Sequence, residues 1–447
     1  MVGLELSPLA VVLIMFGALL LGVLLGYPLF YSLGAVALLV GLITIGPPVF
    51  KILHLRVLGQ LYNYTFLAVP LFVFMGIMVE KSGAAEKLYD GILMTFGGIR
   101  GGLAIGTILM GTVLAACVGV VAASVTTMAL IAAPTMLKRG YQKELTAGCI
   151  CAGGTLGILI PPSIMLVIYG PMAQISVGKL FMAAFMPGFL LSGLYIVYIV
   201  VLSILRPSVA PVPSDEERSV PLGAKLVALT KGLLPPLFII LAVLGTIFFG
   251  IATPTEAAAV GCVAATLLAV VYKRFNMQLL KSASRDTLRI GAMAMAVGLG
   301  ASMFTAVFLR LGGGDAVSSL LMSAPGGKWG VFALTMFIIF ILGMFIDWIG
   351  ILFVMIPLVS PIGEAMGFDP LWFAMMICVN LQMSFLTPPF AYAIFYLKGM
   401  APPEWGMETG HIIRGVIPFV VIILIGMALC IVFPDIILWL PHQMIKF

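Results

Sequence analysis

Charge is scarce in this sequence. Only 9% of its 447 residues are Asp, Glu, Lys or Arg, whereas a soluble domain carries about 25%, so an ordinary water-soluble globule is excluded. Histidine is nearly missing: His54, His411 and His442 stand far apart and cannot by themselves build a metal centre. Cysteines 117, 149, 151, 262, 378 and 430 all fall in apolar runs, and none forms a Cys-x-x-Cys pair. Buried, inert thiols are the expectation for all six. No GxxxxGK[ST] loop is present, so the chain holds no phosphate cradle of a transport ATPase. The absence of His-Glu-x-x-His and of a paired nucleophile and base argues against an intramembrane enzyme.

Apolar residues fill the space. They make up 62% of the chain, with a mean hydropathy of +1.22. Runs of 18 or more recur from end to end, the mark of a polytopic protein of the lipid bilayer. The runs are continuous rather than alternating, which points to helices and not a barrel. The expected class is therefore all-α. A net charge of +6, spread over loops, suits membrane orientation better than nucleic-acid binding. The first run starts near Pro8 after Glu5 and no basic residue, which reads as a retained helix rather than a cleaved leader.

Candidate spans are 8–26, 28–48, 65–79, 180–205, 232–250, 255–272, 289–309 and 412–440. Four further apolar stretches lie at 101–137, 142–170, 329–361 and 371–397. The Pro-, Ser- and charge-rich segment 206–231 reads as a linker between halves. Lys273, Arg274, Lys281, Arg285 and Arg289 face a single acid, Asp286, which places 273–289 in the cytoplasm. Counting spans outwards from there, 101–137 enters and leaves from the cytoplasmic side and 329–361 from the exterior, so both are re-entrant hairpins. Lys51 and Arg56 fit this scheme only on an interfacial helix. The implied division is an N-terminal scaffold 1–98, a first transport repeat 99–205, the cytoplasmic linker 206–231, second scaffold helices 232–275, and a second repeat with the last helix over 276–447.

Adding 227 to positions 131–170 aligns them without gaps to 358–397. Pro134, Gly140, Pro161 and Pro162 then meet Pro361, Gly367, Pro388 and Pro389, within nine identities in forty positions. Matching helix breakers in segments of opposite orientation indicate an inverted-topology repeat. A broken helix at mid-membrane leaves carbonyls and amides that protein, water, an ion or a substrate must satisfy. In 142–170 the break is expected at Gly153, Gly154, Thr155, Leu156 and Gly157, with Pro161, Pro162 and Ser163 opening the second half. In 371–397 it is expected from Asn380 to Ser384, with Thr387, Pro388 and Pro389 opening the second half. The plainer alternative is a proline kink against a small-residue interface. The hairpin tips should complete the sites: Ser124, Thr126 and Thr127 at the first, and Asp347 with Gly350 at the second. A carboxylate between long apolar runs is costly and usually functional. Glu256 in "TPTEAAA" reads instead as a partner of a helix N-terminus.

The motifs "GTLGILIPPS", "LKRGYQKEL", "TPTEAAAVG", "GMFIDWIGI" and "LTPPF" resemble the large membrane subunit of tripartite ATP-independent periplasmic (TRAP) transporters, from first helix to last. The resemblance implies an elevator-type, ion-transporter-superfamily-like secondary transporter in a bacterial or archaeal inner membrane. It also implies Na⁺ coupling, a small four-helix (Q-type) membrane subunit, and an extracytoplasmic solute-binding protein delivering a small organic anion. By motif match, Gly153, Gly154, Thr155, Gly157, Asp347, Gly350, Asn380 and Thr387 are expected at Na⁺. Ser124, Thr126, Ser163, Asn380, Ser384 and Pro388 are expected at substrate. Many sialic-acid-type members have a serine-rich first tip, where this chain has Val120, Val121, Ala122 and Ala123, so small carboxylates such as dicarboxylates or 2-oxo acids are favoured. A channel would more naturally show filter rings. A stand-alone Na⁺- or H⁺-coupled carboxylate transporter of similar fold is the main alternative.

Overall fold

The computed structural model describes residues 6–211 and 221–443, and among them it holds twenty α-helices and no strand. In chain order they are α1 (Pro8–Leu24), α2 (Leu29–Thr44), α3 (Val49–Leu61), α4 (Ala68–Lys81), α5 (Ala84–Phe96), α6 (Gly102–Val118), α7 (Val121–Lys138), α8 (Lys143–Thr155), α9 (Ile164–Ala173) and α10 (Val177–Leu205). The second half contains α11 (Leu222–Phe248), α12 (Pro254–Val271), α13 (Met277–Arg310), α14 (Gly313–Met322), α15 (Gly327–Gly343), α16 (Trp348–Ala365), α17 (Pro370–Leu386), α18 (Tyr392–Met400), α19 (Thr409–Val432) and α20 (Asp435–His442). Eight helices among the described residues are long and apolar enough to cross a membrane. Large apolar side chains such as Leu13, Phe238, Leu241 and Val263 lie exposed on the outer surface, the arrangement a lipid-facing surface requires.

Helix starts follow local chemistry. Ser7 caps α1, whose first residue is Pro8. Thr253 and Glu256 form a reciprocal capping box at α12, with the Thr253 N–H donating to Glu256 Oε2 at 2.7 Å. That is the structural role read for Glu256. Asp369 accepts from the N–H groups of Leu371 and Trp372 to open α17.

The offset of 227 holds at the level of elements. Shifted by it, α7 falls on α16 from first residue to last, and the start of α8 falls on the start of α17. Gly140 and Gly367 occupy the same left-handed turn (φ 76° and 75°) ahead of the two broken helices. Packing exchanges between halves in the same way. Helix α2 lies on α13 as α12 lies on α4, and α7 packs on α18 as α16 packs on α9. The counterparts of α4 and α5 are thus α13 and α14, each pair turning at a left-handed glycine, Gly83 and Gly312. The sequence reading grouped 276–322 with the second repeat's hairpin and broken helix, whereas by packing α13 and α14 correspond to α4 and α5 of the N-terminal segment. Both hairpins form close to their expected limits, α6–α7 with its tip at Gly119 and Val120, and α15–α16 with its tip at 344–347.

Some boundaries differ from the sequence reading. Helix α11 begins at Leu222, so the second part of the proposed linker is helical, while 212–220 lie outside the described residues. Glu5, on which the retained-helix expectation rests, also lies outside them. The stretch 412–440 is two helices, because Pro434 stops the first. Lys51 and Arg56 are exposed on the short α3.

Candidate functional site

Each repeat carries one interrupted helix. Helix α8 tightens into a 3₁₀ turn at Leu156–Ile158, residues 159–163 leave the helix, and α9 resumes at Ile164. Helix α17 runs unbroken to Leu386, residues 387–391 leave it, and α18 resumes at Tyr392. The bonds Pro161–Pro162 and Pro388–Pro389 are both cis. A proline supplies no N–H and restricts the residue before it, so the helical ladder ends at each pair.

The glycines do something different from what was expected. Gly153, Gly154 and Thr155 are helical and fully buried, and only Leu156 and Gly157 of the expected break sit in the 3₁₀ turn. A Cβ on Gly154 would meet Val125 Cγ2 at 2.4 Å, and one on Gly111 would meet the backbone of Gly153 at 2.8 Å. The missing side chains let the hairpin arms α6 and α7 lie directly on α8. In the second repeat, Asn380 to Ser384 are also helical rather than broken, because no helix breaker precedes Pro388. The expected break at the glycines is not there: the glycines make the small-residue contact of the plainer alternative, and the helix opens at the prolines.

The remaining predicted residues divide by what they bond. Ser163 Oγ donates to Ile158 O across the first break, and Thr387 Oγ1 donates to Met383 O at 2.7 Å before the second. Thr155 and Thr126 turn back onto their own helices. Asn380 Nδ2 donates to Met336 O on α15 at 2.8 Å. Gly350 is buried beside Leu29, and Pro388 is exposed in the second break. The hydroxyls of Ser124 and Ser384 are buried without a hydrogen-bond partner. So are both polar atoms of the Gln382 side chain, which sequence reasoning passed over because a lone glutamine in an apolar run carries no charge signal.

The tips and breaks meet around one cavity of about 460 Å³. The first tip contributes Gly119 to Ala122, and the second contributes Asp347 to Ile349. Ile158 and Ile164 flank the first break, Phe385 and Tyr392 flank the second, and Val69 and Val73 of α4 with Ile290, Met293, Ala294 and Val297 of α13 close the opposite side. Tip and break are linked within the second repeat by Phe390 N–H donating to Met344 O at 3.3 Å. Of the predicted site residues, Asp347 is the one among the residues that line this cavity.

Four helices begin at this wall: α7 at Val121, α9 at Ile164, α16 at Trp348 and α18 at Tyr392. None has a side-chain cap among Val120, Ser163, Asp347 and Ala391. Uncapped first-turn N–H groups and the positive ends of helix dipoles suit an anion. Outside the cavity, Thr127 Oγ1 on α7 donates to Glu80 Oε1 on α4 at 3.2 Å. The neighbouring Lys81 pairs with Asp286 and Ser282 of α13 at 2.5 Å.

Comparison with known proteins places these features in a family. The model of the DctM component of the tripartite ATP-independent periplasmic transporter matches residues 14–436. The C4-dicarboxylate TRAP transporter large permease protein DctM of Pseudomonas aeruginosa is 30% identical over 381 residues, covering 85% of this chain and 87% of that protein. The sialic acid TRAP transporter large permease protein SiaM of Vibrio cholerae is 29% identical over 391 residues, covering 87% and 88%. A crystal structure of the Alcanivorax borkumensis YdaH transporter shares the fold, with a TM-score of 0.62 at 16% identity over 96% of this chain and 99% of that one.

Proposed function

The chain belongs to the DctM-component family of tripartite ATP-independent periplasmic transporters, multi-pass proteins of the inner membrane, and from that premise we propose that it imports a small organic acid down a Na⁺ gradient. The acid is delivered by an extracytoplasmic binding protein, and a small four-helix membrane subunit completes the assembly. The observation that carries this reading is the meeting of two hairpin tips and four uncapped helix N-termini at one cavity. A carboxylate placed there is met by backbone N–H groups, with no need for a cationic side chain.

Na⁺ is the coupling ion in this proposal. Backbone carbonyls at the two breaks, the partnerless hydroxyls of Ser124 and Ser384, the Gln382 amide oxygen and the Asp347 carboxylate are oxygen donors of the kind a small hard cation takes. An ion held there orders the tips and breaks that frame the anion cavity, and each ligand thereby strengthens the other's binding. The hairpins and broken helices (α6–α9 and α15–α18) travel as one unit past a scaffold of α1–α5 and α11–α14, in an elevator movement. The cavity lies where the two sets meet, which supports that division.

Proteoliposomes holding the chain and its small subunit, supplied with the cognate binding protein, test the proposal. Uptake is expected only with Na⁺ higher outside than inside. Uptake at the same rate without that gradient would sink the coupling.

A further inference from the structure

The central cavity is poor in polar chemistry. Among the described residues no Lys, Arg or His lines it, and Asp347 is its one charged side chain. Its side-chain hydrogen-bonding groups are that carboxylate, the hydroxyls of Tyr392 and Tyr396, and the indole of Trp348. Elsewhere the wall is aliphatic or aromatic, with Val73 on the scaffold, Val121 at the first tip, Met293 on α13 and Phe385 at the second break.

This wall discriminates among organic acids. One carboxylate is met by the helix N-termini. A second would be buried near Asp347, a charge of the same sign, and two neighbouring carboxylates repel in a desolvated site. A polyhydroxylated acid asks for a partner at every hydroxyl, and each one left unpaired costs affinity. Four side-chain groups are too few to satisfy every hydroxyl of a sugar acid. An apolar body, by contrast, gains from every part of the wall it covers, and a cavity of about 460 Å³ has the size of an ordinary small-molecule site.

On the reading that this cavity receives the transported anion, we infer that the substrate is a monocarboxylate with an apolar body, branched or aromatic, ranked above dicarboxylates and sugar acids. The discrimination belongs to the membrane chain itself, separately from any selection made by a binding protein.

Equilibrium binding to the chain assembled with its small subunit in lipid nanodiscs with Na⁺ tests this, using labelled phenylpyruvate with succinate and N-acetylneuraminate as competitors. The expected result is an affinity for phenylpyruvate at least about tenfold above either competitor. Equal or reversed affinities overturn the substrate class while leaving Na⁺-driven transport standing. If none of the three binds, the cavity is not the anion site, and the proposed function falls with the inference. Met293→Lys places an ammonium in the wall at a position already half exposed (55%). It is expected to shift the phenylpyruvate-to-succinate ratio about tenfold towards succinate. An unchanged ratio in a folded Met293→Lys protein means the acids bind elsewhere and overturns the assignment. Should that variant not fold, the wild-type ratio still decides.

Discussion

Asp347 was legible in the sequence because a lone carboxylate inside "GMFIDWIG" has no cheap explanation in an apolar run. The structure puts it on the cavity wall at the start of α16, beside the N–H groups of Trp348 and Ile349. Asparagine caps helices as well as aspartate does, so Asp347→Asn isolates the charge from the fold. The expected outcome is a rise of about tenfold or more in the Na⁺ concentration giving half-maximal uptake. An unaltered Na⁺ titration would remove Asp347 from the ion site. Other polar side chains of α17 and α18 were not legible for the opposite reason. Tyr392, Tyr396 and Gln382 are uncharged and sit among apolar residues, so nothing in their local pattern separates them from core packing. Only the way α17 and α18 converge on the tips gives them meaning.

At the scale of elements, the prolines located the breaks and the glycines misled. Pro161–Pro162 and Pro388–Pro389 end helices because the backbone chemistry is local and strong. Gly153 and Gly154 permit either a bend or a close contact, and which one occurs depends on α6 and α7, far away along the chain. Tertiary packing, invisible to local pattern, decides. The contact can be measured. Gly154→Val is expected to destabilise the folded chain by about 1–3 kcal/mol through overpacking against Val125, read as a lower Tm in detergent. Gly193 on α10 has nothing within 4 Å of the position a Cβ would take. Gly193→Ala is expected to leave Tm nearly unchanged, within about 1 kcal/mol. Equal losses for both variants would mean that the helix interior, not the contact, sets the requirement for glycine at 154.

For the whole molecule, the two-fold arrangement was legible from the offset of 227, yet its full extent was not. Helices α5 and α14 are 13 and 10 residues long, too short to announce themselves as spans, and their pairing shows only in how they pack. The elevator reading makes a demand at this scale, since Thr127 on the first hairpin contacts Glu80 on the scaffold. With the six native cysteines replaced, joining Glu80→Cys to Thr127→Cys by a short thiol-specific cross-linker should stop uptake, and cleaving the linker should restore it. Uptake that continues at full rate in the cross-linked protein would exclude that relative movement. The exchange of half-helices between repeats has one more consequence. Helix α9 is synthesised long before α16, the arm on which it packs, and α7 likewise waits for α18. Neither half-chain can wall the cavity by itself, so the cavity is completed only after translation has passed α18. A ribosome stalled in the second half leaves behind helices in a membrane, but no pocket.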